Sequence, residues 1–314
     1  MVMMRKNNYQ PGFALVILIW ILSLLSLMAA SFTQTIRREI SISNGLKANS
    51  NALALAETWV MIAGLMLKNP NPQQRWIANG TIYQANLTKG DVRVRVFSET
   101  GKVDINTAKD ELLHAVINYS VKDINQQNAL FDAIVDWRDV DDDPHPNGAE
   151  VSQYKKIGLS YQPSNQPFQS LEELQLVLGM DEDIFNNMQS LITVYAEKPE
   201  IDYGVASEEL LRAVLVEYQN KNINDVALEN QLKNRQQNQS SNDEVVENSE
   251  TYSLVVETRI DDNSTSVIET VIKPQNQQAN IILDWRYGQK NKSLFDDKFI
   301  NQVVRVENEF TFNN

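Results

Sequence analysis

The stretch from Gly12 to Ser31 constrains this chain more than any other. It reads Gly12-Phe13-Ala14-Leu15-Val16-Ile17-Leu18-Ile19-Trp20 and stays apolar and uncharged to Ser31. A bilayer's hydrocarbon core needs about 20 helical residues, so the run is long enough to cross it. In lipid a lone segment satisfies its backbone polar groups only as a helix, which predicts a transmembrane helix over 13–31. A secretory signal peptide is the rival, but its apolar core is shorter and ends at a small-residue cleavage site. Here the pattern continues. Ile36, Ile40, Leu53, Ala56, Val60 and Leu67 fall at helical spacing along one side, so helix is predicted on to Lys68. Asn69-Pro70-Asn71-Pro72 ends it, because Pro lacks an N–H and disfavours helix in the residue before it.

The chain beyond this helix is long enough, within 314 residues, for one or two domains with real cores. Its net charge of −13 argues against nucleic acid, whose phosphates need a basic face. The absence of Cys excludes disulfides, thiolate zinc sites and cysteine nucleophiles. His114 and His145 are the two histidines, too few for a His-based zinc site. Arg5 and Lys6 precede the apolar run and Arg37 and Arg38 follow it, so the count of basic residues does not orient the span.

Strands come next. Thr81 to Gln84 reads as one, and Asp91-Val92-Arg93-Val94-Arg95-Val96-Phe97 alternates Val inward with Arg outward on a solvated face. Glu99 to Lys102 reads as a turn and Val103 to Ile105 as a short return. A helical region follows. Thr107 with Asp110 predicts an N-cap and an acidic first turn ahead of Leu112, Leu113, Val116 and Ile117. Leu130, Ile134 and Trp137 mark a second helix. Ser170 with Glu173 is a capping box ahead of Leu171, Leu174 and Leu178, with Gly179 as the stop. Ile184, Phe185, Met188 and Leu191 mark another helix, and Leu210, Leu211, Val214 and Leu215 one more. Asn234 to Glu250 is polar throughout apart from Val245 and Val246, a composition that reads as a flexible connection. Strands then resume at Tyr252–Arg259 and Ser266–Ile272, around the hairpin signal Asp261-Asp262-Asn263-Ser264, with a further strand at Ile281–Tyr287.

The densest chemistry lies between Asp136 and Glu150. Asp136, Asp139, Asp141, Asp142 and Asp143 fall within eight residues and repel one another unless a cation sits among them. Oxygen-only ligands favour Ca²⁺, one or two ions, with Glu150 completing the set. Counted from Asp139, acids or Asn occupy the first, third, fifth, ninth and twelfth places, which echoes an EF-hand. Pro144 replaces the glycine needed at the sixth, so the loop is of another type. A solvated acidic turn is the bland alternative. Arg138 offers one compensating charge. Carboxylates such as Asp136 and Asp139 can do acid–base work, but no nucleophile motif accompanies them, and the chain reads as a non-enzyme. His114 reads as a core or surface histidine and Trp137 as the packing of a helix end.

A basic leader, then Gly12, then Phe13 and an unbroken apolar helix resembles the start of type IV pilins and type II secretion pseudopilins. Most of that family carries Glu at the fifth mature position; here it is Ile17, as in the K-type minor pseudopilins. Gly101-Lys102-Val103-Asp104-Ile105-Asn106-Thr107-Ala108, Asp132 to Asp139, Asn147-Gly148-Ala149-Glu150 with Tyr154, and Asn165 to Leu174 followed by Val177-Leu178-Gly179-Met180 also resemble the K type. The likeness runs from Gly12 to about Tyr195.

The resemblance implies an α+β fold: a long N-terminal helix, transmembrane in its first half, packed on an antiparallel sheet with an inserted all-helical domain. It divides the chain into a cleaved leader (1–12), a transmembrane helix (13–31), a pilin-like helix with the first strands (32–104), an inserted helical domain with the acidic loop (105–233), a linker (234–250) and returning strands (251–314). Prepilin peptidase would cut between Gly12 and Phe13 and leave Phe13 N-methylated. The span would sit in the inner membrane with the N-terminus cytoplasmic and the rest periplasmic. The implied role is a non-enzymatic minor pseudopilin at a pseudopilus tip, serving protein export. Its partners would be I- and J-type minor pseudopilins, the major pseudopilin and membrane lipid, with calcium bound in the inserted domain. One rival is a membrane-anchored calcium-binding adaptor outside any filament. Another is a helix-hairpin-helix DNA-binding module, which Lys102 to Ala108 also resembles. Against the second, Asn118-Tyr119-Ser120 has no glycine, and Gly179 is followed by Asp181, Glu182 and Asp183, which repel phosphate.

Overall fold

The structure is a computed structural model. It describes residues 11–88, 90–237, 251–260, 264–275, 279–288, 293–297, 299 and 303–306. The first element is one helix, α1 (Pro11–Leu67). It is the one helix among the described residues that is long and apolar enough to cross a membrane, and its most apolar window is wholly exposed. Packing begins late along it. Ile36 and Ile40, predicted on the packing side, are exposed, whereas Ala52, Ala56, Trp59, Val60, Ala63 and Leu67 are buried. Their spacing of three and four residues puts them on one helical face. Asn69 and Pro70 follow the end of the helix, as the two prolines require.

That face lies on a six-stranded sheet. After β1 (Asn79–Leu87) and β2 (Gly90–Ser98) the chain leaves the sheet, returning as β5 (Tyr252–Arg259), β6 (Thr265–Lys273), β7 (Ile281–Tyr287) and β8 (Val303–Arg305). The strand order is β7-β6-β5-β2-β1-β8. Neighbours are antiparallel except β8, which runs parallel to β1 and departs from an all-antiparallel sheet. Val92, Val94 and Val96 alternate inward and meet α1 together with Leu254, Val256, Ile268 and Ile272. The tip of the β5–β6 hairpin, residues 261–263, lies outside the described residues.

The opposite face corrects the expectation of solvated arginines. Arg93 donates from Nη1 to the Leu294 carbonyl at 2.6 Å, and its guanidinium lies 4.5 Å from the Phe295 ring centre. Arg95 stacks over Phe97 and Phe299. A segment far away in sequence thus covers this face, which strand periodicity cannot announce.

Between β2 and β5 the chain forms a second, mostly helical body with its own core. A two-residue strand, β3 (Val103–Asp104), pairs in parallel with β4 (Ile192–Thr193). The helices are α2 (Asp110–Ser120), α3 (Ile124–Arg138), α4 (Val151–Lys156), α5 (Glu182–Met188), α6 (Glu208–Asn220) and α7 (Val226–Gln237). Leu113, Val116, Ile117, Leu130, Ile134, Leu174, Met188, Leu210 and Val214 fill the shared interior.

Several starts differ from expectation. Thr107 does not cap α2, which begins at Asp110 after Lys109; its hydroxyl donates to the Lys198 carbonyl. Asp104 turns this corner instead, accepting from the Asn106 and Thr107 N–H groups. Asp123 caps α3 and Asp181 caps α5 through backbone N–H groups. Ser170 and Glu173 do form a box, the Ser170 N–H donating to Glu173, but it opens a 3-10 helix over Leu171–Leu176. Leu191 is buried, yet lies beyond the end of α5. α7 runs through Gln237 and so covers the first residues of the tract expected to be a flexible connection; residues 238–250 lie outside the described residues.

Candidate metal centre

The end of α3 delivers the site. Trp137 is buried, stacking against Phe168 at 6.2 Å and tilting on Tyr154 at 6.1 Å. Anchored by that ring, the last helical turn turns Asp136 fully inward and sets Asp139 at its C-cap. The loop 139–150 then folds back over the helix. Asn165, in the left-handed backbone region, donates its N–H to the Trp137 carbonyl and its amide to the Asp141 carbonyl and the Asp142 carboxylate. Asn147 binds Asp132 through its backbone N–H and its side-chain amide. Gly148 lies so close to Asp136 that a Cβ there would collide with the carboxylate, so glycine permits the loop's close approach.

The loop brings His145 onto Asp136. Its backbone N–H donates to both carboxylate oxygens at 3.2 and 3.3 Å, and Nδ1 lies 2.5 Å from Oδ1. Asp136, Asp139 and His145 each place one potential ligand atom within 4.8 Å of the others. Glu150 lies near them, 2 % exposed; it opens α4 as a capping box with its side chain facing the Gln153 N–H, but neither carboxylate oxygen makes a well-formed hydrogen bond. Oδ1 of Asp139 is also buried without one. Unpaired buried carboxylate oxygens are costly, and a cation among them would remove that cost.

The electrostatics agree with the geometry. Burial, reinforced by Asp136 and Asp139, pushes the Glu150 carboxyl up to about 7. Burial raises Asp139 too, with Asp141 and Asp136 adding to it. The hydrogen bond to Asp136 raises the pKa of His145, which is exposed on the loop, against the opposing effect of partial desolvation. Arg138 offers the compensating charge expected of it only at a distance: its guanidinium donates to the Ile105 carbonyl and burial lowers its pKa, while its charge still favours the ionised form of Asp139. The imidazole of His145 is the basic group in direct contact with the cluster.

Of the six residues the sequence singled out, the structure gathers Asp136 and Asp139, with Glu150 buried beside them. It leaves Asp141, Asp142 and Asp143 exposed on the loop. Asp141 accepts from the Asp143 N–H within a local turn, and Asp142 is held by Asn165. His145 is the residue sequence reasoning missed. Its signal was a histidine nine residues after Asp136, set rigidly between Pro144 and Pro146. The carboxylates and imidazole together can hold a divalent cation. His114, by contrast, stacks on Phe131 at 3.8 Å, and burial lowers its pKa.

Comparison with known proteins gives the relatives of the chain as a whole. Residues 101–197 match the family described as Type II secretion system (T2SS), protein K. The chain is 27 % identical over 215 residues to the type II secretion system protein K of Klebsiella pneumoniae, an alignment covering 61 % of this chain and 65 % of that protein. It therefore spans a little under two thirds of that relative's length. With the protein K of Dickeya chrysanthemi it shares 33 % identity over 73 residues, covering 23 % of this chain and 20 % of the relative. Among solved structures, a chain from the crystal structure of the GspK-GspI-GspJ complex of the enterotoxigenic Escherichia coli type 2 secretion system superimposes with a TM-score of 0.52. The identity is 16 %, over 81 % of this chain and 99 % of that one. That likeness is one of fold: a long helix on a sheet that carries a helical insert.

Proposed function

We propose that this chain, a homologue of type II secretion system protein K, serves as a non-enzymatic minor pseudopilin, at the tip of the pseudopilus that drives protein export. The observation that carries this reading is the helical body between two neighbouring strands of a helix-on-sheet domain, with residues 101–197 matching protein K. The insert is too bulky to be stacked under a further subunit, which supports a terminal position. Ile17, where other pseudopilins have Glu, supports it as well: that Glu would pair with the N-terminal amine of a subunit above, and a tip subunit has none above it.

Its partners on this reading are the I- and J-type minor pseudopilins, whose proteins accompany GspK in the named Escherichia coli complex, and the major pseudopilin below. The apolar part of α1 anchors the chain in the inner membrane, N-terminus cytoplasmic and sheet domain periplasmic. Prepilin peptidase removes residues 1–12, and Phe13 is then N-methylated. Calcium is the ion we assign to Asp136, Asp139 and Glu150, because carboxylate oxygens suit a hard cation and two of these side chains have buried, unpaired oxygens.

Co-expression of the full chain with the I- and J-type pseudopilins in detergent tests the reading. A stable complex, and loss of export when the chain is deleted, are expected. Export that continues without the chain, or a chain that binds neither partner, would favour a calcium-binding adaptor outside any filament.

A further inference from the structure

We propose that α1 is hinged over residues 41–51, so that the sheet domain swings on its membrane anchor. The inference rests on the reading of the apolar half of α1 as that anchor. Three observations carry it. First, the helix has no support there. Over residues 32–51 every side chain but Ala48 is exposed, and a Cβ placed on Gly45 would meet nothing within 4 Å. Burial against the sheet begins only at Ala52.

Second, the composition of this stretch opposes helix. Seven of the eleven residues 41–51 are Ser, Asn or Gly. Ser and Asn side chains offer the backbone competing hydrogen bonds, and Gly45 adds backbone freedom. Lys47 is the one charged residue in the stretch. Its neighbours three and four places away, Ser43, Asn44, Ser50 and Asn51, give it no ion pair. Isolated helices shorter than about 12–15 residues are marginal in water even when rich in Ala. Gly and Ser together are also a usual place for a long helix to kink.

Third, the sheet grips the helix directly after this stretch. The Thr258 hydroxyl donates to the Ala52 carbonyl at 2.8 Å in a buried contact. Asn280 donates from Nδ2 to the Val60 carbonyl at 3.3 Å and fills the space that a Cβ on Gly64 would need. From Ala52 onward α1 therefore moves with the sheet, while the apolar run to Ser31 moves with the bilayer. A change of angle between the two falls on the stretch between them, and residues 41–51 are its softest part. The soluble body can then tilt without drawing the anchor out of the membrane.

The chain has no Cys, so Ile36→Cys and Leu65→Cys, both at exposed positions, accept two spin labels and no others. The labelled full chain is reconstituted into phosphatidylcholine–phosphatidylglycerol vesicles, and the label-to-label distance is measured by pulsed electron paramagnetic resonance. A straight helix sets the two positions about 44 Å apart, at a rise of about 1.5 Å per residue. The hinge is expected to give a broad distribution shifted to shorter distances. Changing Ser41, Ser43, Asn44, Gly45, Asn49 and Ser50 together to Ala should narrow it and return it to the straight-helix value. A narrow distribution at that value in the chain that keeps these six residues would overturn the hinge and leave the anchor reading standing. Breadth that persists in the alanine chain would overturn the assignment of the hinge to these residues. A chain that does not float with the vesicles would overturn the anchor reading, and the hinge with it.

Discussion

Ser98 pairs with Tyr252 on the ladder between β2 and β5, although the whole helical insert separates them in sequence. The Glu99 N–H extends the ladder by one bond, to the Thr251 carbonyl at 3.1 Å. The insert thus leaves and re-enters the sheet at a single rung, in the place a hairpin turn would occupy. The buried Glu99 fastens the junction, taking Lys102 at 2.7 Å together with the Ser253 and Thr193 hydroxyls.

Replacing residues 99–251 by a two-residue Asn-Gly turn should therefore leave the sheet and its α1 contact folded, since that pair suits a tight hairpin. The cost should be no more than about 2 kcal/mol, the order of the few hydrogen bonds lost at the junction. Chemical denaturation of the shortened chain, followed by the fluorescence of Trp59 and Trp76 beneath the sheet, measures it. Loss of the cooperative transition would show that the insert is integral to the sheet domain.

Alkaline pH should destabilise the protein through its buried phenols. Tyr83 stacks on Trp76 at 4.1 Å, and its hydroxyl accepts the Ile77 N–H at 2.6 Å. Burial pushes its pKa up to about 12, and that of Tyr252 likewise. A folded pKa above the unfolded one means that the stability contribution is complete below about pH 10 and lost as pH rises towards about 12. Denaturation at stepped pH across that window should show the fall. Tyr83→Phe should shrink it while costing about 1 kcal/mol at neutral pH for the lost hydrogen bond. A flat profile would mean that these phenols ionise without penalty.

Much of this architecture is legible in the sequence because its determinants are local. The Val92-Val94-Val96 alternation fixes which face of β2 meets α1, and the prolines after Asn69 fix the end of the long helix. The parts that escape depend on distant chain. β8 sits parallel to β1, and Phe295 covers Arg93; neither has a pattern of its own in a strand of three residues or a short coil. Thr107 is no cap because α2 starts only at Asp110, after Lys109, and the Thr107 hydroxyl is used on the distant Lys198 carbonyl. The site divides in the same way. Asp136 and Asp139 share a helix end and could be found by spacing, whereas His145 joins them only because Gly148 lets the loop press onto Asp136.

Processing can be tested at Gly12. On the proposed reading a prepilin peptidase would need a small residue at its cleavage site, so Gly12→Val should leave residues 1–12 attached. Intact-mass spectrometry of membrane-extracted protein should show the unaltered chain beginning at Phe13 with one added methyl group, and the variant carrying its leader. An unaltered chain that begins at Met1, or near Ser31, would sink the pseudopilin reading of α1.

Calcium should stabilise the fold through the carboxylates that the structure leaves unpaired. An ion that binds only the folded form adds RT ln(1 + [L]/Kd), about 2.7 kcal/mol at a hundredfold excess over Kd. Chelation of the full chain in detergent should lower its melting temperature accordingly, and Asp139→Ala should erase the difference between the two conditions. Glu150→Gln separates the charge from the shape. With calcium removed, the neutral amide relieves a buried carboxylate whose two oxygens have no partner, so the variant should melt no lower than the unaltered chain, and as much as roughly 1–3 kcal/mol more stably. With calcium present, the same change removes a ligand, and the stabilisation by the ion should shrink. A variant that loses stability without calcium would mean that Glu150 is held by contacts within the protein and not by an ion.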